Sequence, residues 1–284
     1  MPFATLREVL AEAEKGKYAV GAFNTNNMEI VQAIIEAAQE ERAPVILQAS
    51  QGALKYAGIR YITAIVRAAV ESSTIPVVLH LDHGTSFEQT MLCIRHGFTS
   101  VMFDGSKYSL EDNIAATARV VEVARAVGVS VEGELGKIGG TEDDISVDER
   151  DALFTDPAQA RRFVEESGVD ALAVAIGTAH GPYKGEPKLD FDRLEAIMKV
   201  AGTPLVLHGA SGVPAGSIRR AISIGISKIN IDTDLRQAFI RGVQHVVHNQ
   251  PHEYDPRKLL GPAKEEMKAV IKEKMRLFGC SGQA

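Results

Sequence analysis

Short apolar runs rich in valine and isoleucine recur along the chain at 18–23, 44–49, 76–82, 99–103, 129–135, 171–177, 204–208 and 228–232, each followed by a segment with helical spacing. Runs of this kind read as strands buried on both faces, and a repeated strand-then-helix rhythm is how a parallel sheet covered by helices looks in sequence. Eight units predict a closed (β/α)8 barrel, an α/β fold. An open doubly wound sheet usually has fewer strands and carries a GxGxxG after the first, and none follows Val20. Glycines and prolines stand at many of the joints, as at Gly97, Gly128, Gly168, Gly202-Thr203-Pro204 and Gly225, where a helix must stop before the next strand starts. A helix over residues 4–15 opens the chain, and Asp156 with Pro157 supplies the cap and first turn of another over 158–167. Beyond the eighth unit, DPRKLLGPAKEEMKAVIKEKMRLFG forms a charged amphipathic helix surplus to a minimal barrel, expected beneath the barrel or against a neighbouring subunit.

Barrels of this type reach about 250 residues as one unit, so 284 residues are expected to form a single domain over 1–284. Composition narrows the setting further. With 45% hydrophobic and 24% charged residues and no segment long and apolar enough to span a bilayer, no membrane partner is expected. In the start MPFATLREVL apolar residues alternate with charges, unlike a secretory signal, so the expected location is the cytoplasm. A net charge of −6 argues against a nucleic-acid partner. Cys93 and Cys280 lie far apart and outside any CxxC spacing, which predicts buried thiols rather than a disulfide or thiolate metal site.

Active sites of such barrels lie at the carboxyl ends of the strands. His83 closes the third strand, Glu134 the fifth and His208 the seventh, while His180 follows the sixth. Three imidazoles suit a catalytic zinc, which keeps three protein ligands and an open position for substrate, and His83, His180 and His208 meet that need. Glu134 and Asp104 offer themselves as outer partners that orient an imidazole, as alternative ligands, or as polar residues satisfying loop amides. Strand alternation puts His80 on the same face as Asp82, inside the barrel, and it is left out of the ligand set. His96 ends a helix, and His245, His248 and His252 belong to the surface of the eighth helix and the loop after it.

Two segments suit a phosphate. GASGVP (209–214) follows the seventh strand and NIDTD (230–234) ends the eighth, where barrels commonly hold a phosphate by backbone amides and a helix N-terminus. Gly209 and Gly212 allow close approach of the main chain, and Ser211 and Thr233 add hydroxyls. After the fifth strand, GKIGGTEDDISVDERDALFTDP reads as a long acidic loop, either a solvated surface stretch or a lid whose Glu142, with Asp143 as rival, serves as a base.

The motifs HLDHG, ELGKIGGTEDD, GTAHGPYKGEP, LHGASG and NIDTDLRQAF, with the opening YAVGAFNTNN and the closing EYDPRKLLGPAKE, cover essentially the whole chain. Together they closely resemble class II fructose-1,6-bisphosphate aldolases and the sister tagatose-1,6-bisphosphate aldolases, especially the compact bacterial fructose-bisphosphate branch. The resemblance implies a reversible carbon–carbon cleavage in glycolysis and gluconeogenesis, with one catalytic Zn2+ on His83, His180 and His208. It implies that Asp82 exchanges a proton with the aldehyde oxygen and that Glu142 is the mobile base, although Thr141 stands where some relatives carry a first glutamate. Gly181, Gly209, Ser211, Asn230, Asp232 and Thr233 would surround a triose phosphate, and Asn24, Ala210 and Ile231 complete the implied substrate-binding set. Arg257 would reach the distal phosphate across the interface of a homodimer or homotetramer, with Lys184 and Ser50 as lesser contacts. Some relatives also hold a second divalent or a monovalent cation.

Two other readings make different demands. A lysine Schiff base needs an amine projecting from a barrel strand into the site; Lys228 is expected at the wrong end of the eighth strand, and Lys107, Lys137 and Lys184 in loops. A phosphosugar sensor needs binding groups only, and Asp82 together with the acidic stretch exceeds that need.

Overall fold

A computed structural model describes residues 3–142, 145–148 and 153–284. In chain order its strands are β1 (Val20–Asn24), β2 (Val45–Ser50), β3 (Val77–Gly84), β4 (Ser100–Phe103), β5 (Ser130–Leu135), β6 (Gly139–Glu142), β7 (Ile145–Val147), β8 (Ala171–Val174), β9 (Ala179–His180), β10 (Leu205–Leu207) and β11 (Ile226–Ile231). Eight of them close into a barrel in the order β1-β11-β10-β8-β5-β4-β3-β2, and every neighbouring pair is parallel. The eight apolar runs are these strands, with ends shifted by a few residues at most. Their side chains are buried on both faces because helices cover the outside and side chains fill the inside.

One end of the barrel is stoppered. In the helix Leu6–Gly16, Leu6, Val9, Leu10 and Ala13 recur at helical spacing and are buried, and Thr5 with Glu8 forms a capping box at its start. The segment entering it is bound to the amino ends of the strands. The Ala4 N–H donates to Val77 O (2.9 Å), Thr99 Oγ1 donates to Ala4 O (2.7 Å), and the Arg7 N–H donates to Ser130 Oγ (3.1 Å). Arg7 also pairs with Asp170 at 2.6 Å, just before β8. Only the carboxyl ends of the strands are left to open on a site.

The C-terminal helix, Pro256–Phe278, does not lie beneath the barrel as one of its two expected positions required. It runs along the outside, across the helices Met28–Glu41 and Thr233–Asn249, burying Ala263, Met267, Ile271, Met275 and Phe278. Lys264, Lys272 and Arg276 pair with Glu36, Glu40 and Glu41 at 2.6–2.7 Å. Such half-exposed pairs add about 0–1 kcal/mol each, so the apolar stripe holds the helix and the charges fix its register. The seam is tight at Gly242, where an added Cβ would lie 2.5 Å from Ala263 Cα. Gly242→Ala is therefore expected to destabilise the fold by about 1–3 kcal/mol, seen as a lower urea midpoint with unchanged turnover per folded molecule; an unshifted midpoint would show that the seam yields freely.

The stretch after β5, expected as a loop without regular structure, contains a hairpin. β6 pairs antiparallel with β7, and β6 also pairs in parallel with β9, Gly139 opposite Ala179 and Gly140 opposite His180. The alternation in GGTE and ISV is too short to signal strands, and the partner that stabilises β6 lies some forty residues downstream. The Glu142 side chain and Asp143 fall outside the described residues. Among those residues no helix is long and apolar enough to cross a membrane.

Candidate active site

Strand alternation carries one set of polar side chains into the barrel. From β2, β3, β5 and β11 these include Gln48, His80, Asp82, Glu132, Glu134, Lys228 and Asn230, all buried. His83 should point outward by that rule, being next to Asp82. It does not, because its backbone is left-handed (φ 48°) and the β3–β4 ladder slips between Leu81 and Gly84. The irregularity costs about 1–2 kcal/mol for a residue with a Cβ, and it turns two consecutive side chains, Asp82 and His83, to the same side.

The rings of His83, His180 and His208, from three separate segments, have centroids 4.8–6.0 Å apart, and one nitrogen from each lies within 4.8 Å of the others. Hydrogen bonding fixes which nitrogens face inward. His83 Nδ1 donates to Asp104 Oδ2 (3.1 Å) and His208 Nε2 donates to Glu132 Oε1 (2.8 Å). The opposite nitrogens, His83 Nε2 and His208 Nδ1, are thereby left as lone-pair acceptors, yet they face each other at 3.0 Å. Two such nitrogens so close are held together by a shared proton or by a metal cation between them. Nitrogens on one tetrahedral zinc, each about 2.0–2.1 Å from it, stand roughly 3.3 Å apart, so the pair is spaced to share a cation. Burial pushes the His208 imidazole down to about 4 against the raising effect of Glu132, keeping it neutral and able to ligate at pH 7.

Asp104 and Glu134 stand behind His83. Burial works to raise the Asp104 carboxyl, but the hydrogen bonds from His83 and Ser106 outweigh it and hold it well below the usual range. Glu134 goes the other way, raised by burial and then by the Asp104 charge. Its Oε2 is buried without a hydrogen bond and lies 3.8 Å from His83 Nδ1. His83, Asp104 and Glu134 form a second group able to hold a metal ion. The chemistry of both donor sets, neutral imidazole and buried carboxylate, suits a divalent cation.

Asp82 sits in a cradle of amides. Asn24 Nδ2 and Gln48 Nε2 donate to its Oδ2 at 2.9 and 3.0 Å, and Asn230 Nδ2 donates to Oδ1 at 3.3 Å. Gln48 also donates to Asn24 Oδ1 (2.6 Å), which locks the amide orientations. Ser50 lies opposite Asp82 in the β2–β3 ladder, and its Oγ accepts from the Ala53 N–H to cap the next helix. His80 lies inside the barrel as alternation places it, with Nδ1 on Ser100 Oγ at 2.8 Å.

Beside the histidines is a cavity of about 260 Å³ lined by Asn24, Thr141, Ala179, His180, Gly181, Pro182, Gly209, Ser211, Asn230, Asp232, Thr233, Arg236 and Gln237. It is smaller than the roughly 300–1,000 Å³ of pockets that enclose drug-sized ligands, and suits a small polar group. The two segments expected to bind phosphate meet here. Ser211 Oγ accepts from the Asp234 N–H (3.2 Å), tying the loop after β10 to the helix Thr233–Asn249, whose N-terminus favours an anion. Asp232 does not cap that helix with its side chain; it pairs with Arg236 at 2.8 Å. Tyr183 fastens the loops, its hydroxyl accepting from the Ala179 N–H (2.7 Å) and donating to Gly209 O (2.8 Å). Gly209 is left-handed, and a Cβ there would lie 2.5 Å from Ala179 O, so no other residue fits. Ala210 and Ile231 are buried and do not line the cavity.

Some expected contacts lie elsewhere. Lys184 is exposed and does not line the cavity. The Arg257 side chain is 89% exposed, pairs with Asp255 at 2.7 Å, and borders a separate surface cleft. Lys228 is not at the strand start: β11 begins at Ile226, so Lys228 lies within it, sealed in the interior with Nζ 2.8 Å from Glu132 Oε2. It still cannot serve as a Schiff-base amine, being ion-paired and out of reach of substrate. Gln48, Glu132 and Lys228 do not end strands; the signal that finds them is two-residue spacing from Ser50, Glu134 and Asn230.

A (β/α)8 barrel with histidines and carboxylates converging beside an anion pocket at the carboxyl ends of its strands defines a metal-dependent enzyme of small phosphorylated substrates. The class-II fructose-bisphosphate aldolase family matches residues 4–283, and the chain belongs to that family, whose members are metal-dependent lyases. It is 51% identical over 300 residues to a fructose-bisphosphate aldolase of Thermus caldophilus, covering 98% of each chain. It is 49% identical over 287 residues to one of Geobacillus stearothermophilus, covering 100% of this chain and 99% of the other. Among solved structures, the YdjI aldolase from Escherichia coli K12 superposes with a TM-score of 0.88 at 34% identity over 100% of both chains.

Proposed function

We propose that this chain reversibly cleaves fructose 1,6-bisphosphate to dihydroxyacetone phosphate and glyceraldehyde 3-phosphate in the cytoplasm, with one zinc ion held by His83, His180 and His208. The reading rests above all on the convergence of the three imidazoles, with His83 Nε2 and His208 Nδ1 facing each other at 3.0 Å. Zinc in that position supplies a Lewis acid for the negative charge that develops on the sugar when its carbon–carbon bond breaks.

The protein's own groups handle the protons. In cleavage, Asp82 takes the proton of the hydroxyl that becomes the aldehyde, the carbon–carbon bond breaks, and its electron pair stays on the carbon beside the ketone. Glu142 delivers a proton to that carbon; in synthesis it removes it, and Asp82 returns its proton to the aldehyde oxygen. Amides from Asn24, Gln48 and Asn230 hold Asp82 in place for this exchange. Thr141, the residue before Glu142, lines the cavity, which supports Glu142 as the base. Gly181, Gly209, Ser211 and Thr233 hold the triose phosphate by amides and hydroxyls. Asp104 orients His83, and Glu134 offers a second position for the cation. Ser50 sets the backbone beside Asp82. Arg257, which does not line its own cavity, serves the distal phosphate of a neighbouring subunit in a homodimer or homotetramer.

The test is cleavage of fructose and tagatose bisphosphates by the purified protein before and after chelation and zinc restoration. Fructose bisphosphate is expected to be the better substrate, chelation to abolish turnover, zinc to restore it, and borohydride with substrate to leave it intact. Inactivation by borohydride with indifference to chelation would overturn the metal-dependent reading, and preference for tagatose bisphosphate would overturn the substrate.

A further inference from the structure

Below the three histidines, the proposed reaction leaves an ion pair unused. Glu132 on β5 and Lys228 on β11 are both fully buried, and Glu132 divides its two oxygens between them and the site: Oε2 accepts from Lys228 Nζ at 2.8 Å, and Oε1 accepts from His208 Nε2 at 2.8 Å. His80 closes the third side, its Nε2 3.7 Å from Glu132 Oε2. Taking two charges out of water is costly, and apolar side chains of similar volume often serve stability as well or better. What apolar packing cannot do is fix a proton on one ring nitrogen. A carboxylate at Nε2 holds the hydrogen there, points Nδ1 at the other histidines and strengthens it as a donor to metal.

We propose that Lys228 and Glu132 form a positioning pair for the cation site: Glu132 fixes the proton and orientation of His208, and Lys228 acts only through Glu132, holding its carboxylate in place. The inference rests on the reading that His83, His180 and His208 hold zinc. Neither residue of the pair touches substrate. A neutral glutamine at 132 would accept the same proton but without a full charge, and a methionine at 228 would fill the lysine's volume without anchoring the carboxylate.

The experiment measures zinc affinity, by competition with a chromogenic chelator, for the stripped full-length protein and for Glu132→Gln, Lys228→Met and the double variant, with folding followed by circular dichroism. Each single variant is expected to bind zinc about 10–100-fold more weakly while folded. The double variant is expected to be no weaker than Glu132→Gln alone, because the lysine has no separate path to the site. If Lys228→Met does not fold because it strands a buried charge, the double variant, which carries neither charge, decides. Wild-type affinity in folded Glu132→Gln or in the double variant overturns the inference, as does a double variant whose loss is the product of the two single losses. Failure of both Glu132→Gln and the double variant to fold assigns the pair to stability and likewise overturns it. A wild-type protein that takes up no zinc overturns instead the proposed function on which the inference rests.

Discussion

Asp82→Ala is expected to leave a folded protein that still binds zinc but turns over about 10²–10⁴-fold more slowly, the usual worth of a positioned general acid–base group. The side chains seen donating to Asp82, the amides of Asn24, Gln48 and Asn230, neither gain nor lose protons at neutral pH and so cannot replace it in the transfer. The loss should fall mainly on kcat, because the cavity proposed for the triose phosphate is built from other residues. Steady-state kinetics with zinc content measured on the same sample checks this. Near-normal kcat would remove Asp82 from the proton transfer, and loss of zinc would show that it acts through the metal site.

His83→Ala is expected to have a larger effect, on a different quantity. Removing one of three imidazoles should weaken zinc by more than the about 10–100-fold typical of an outer partner, so the purified variant should contain little zinc and show no measurable cleavage. It should fold. Alanine brings the same single Cβ to the left-handed backbone at 83 and adds no bulk there, and Asp104 keeps a partner in the Ser106 N–H at 3.0 Å. Metal analysis beside an unfolding curve separates loss of metal from loss of fold. A zinc-replete, active His83→Ala would require the cation to sit elsewhere.

Most of the barrel was legible because both faces of its strands are buried, so each strand writes itself as an apolar run. The site was legible wherever a polar residue ended such a run, as His83 and His208 do. Two kinds of feature escaped. Lys228, Glu132 and Gln48 lie within strands, where a polar residue looks like an irregularity until the register shows that Glu132 shares a layer with Lys228 and His208. The β6–β7 hairpin escaped because its stability comes from β9, a contact that no local pattern records. Arg257 was singled out by family resemblance alone; locally it is a helix-start arginine paired with Asp255. The left-handed turn at His83, which brings two chemical groups side by side, has no decisive sequence mark, since such a backbone is uncommon in any residue but glycine, even in histidine, where it is enriched.

The ladder between β6 and β9 also bears on how this enzyme can be re-engineered. Gly140 faces His180 so closely that a Cβ would lie 2.7 Å from the histidine's backbone nitrogen, and the two segments share main-chain hydrogen bonds. Gly139 and Gly140 and the histidine on the facing turn are thus one structural piece. A designer transplanting the β6–β7 hairpin from a relative should expect to carry the turn at 177–181 with it, or to spoil the cation site while leaving every ligand unchanged.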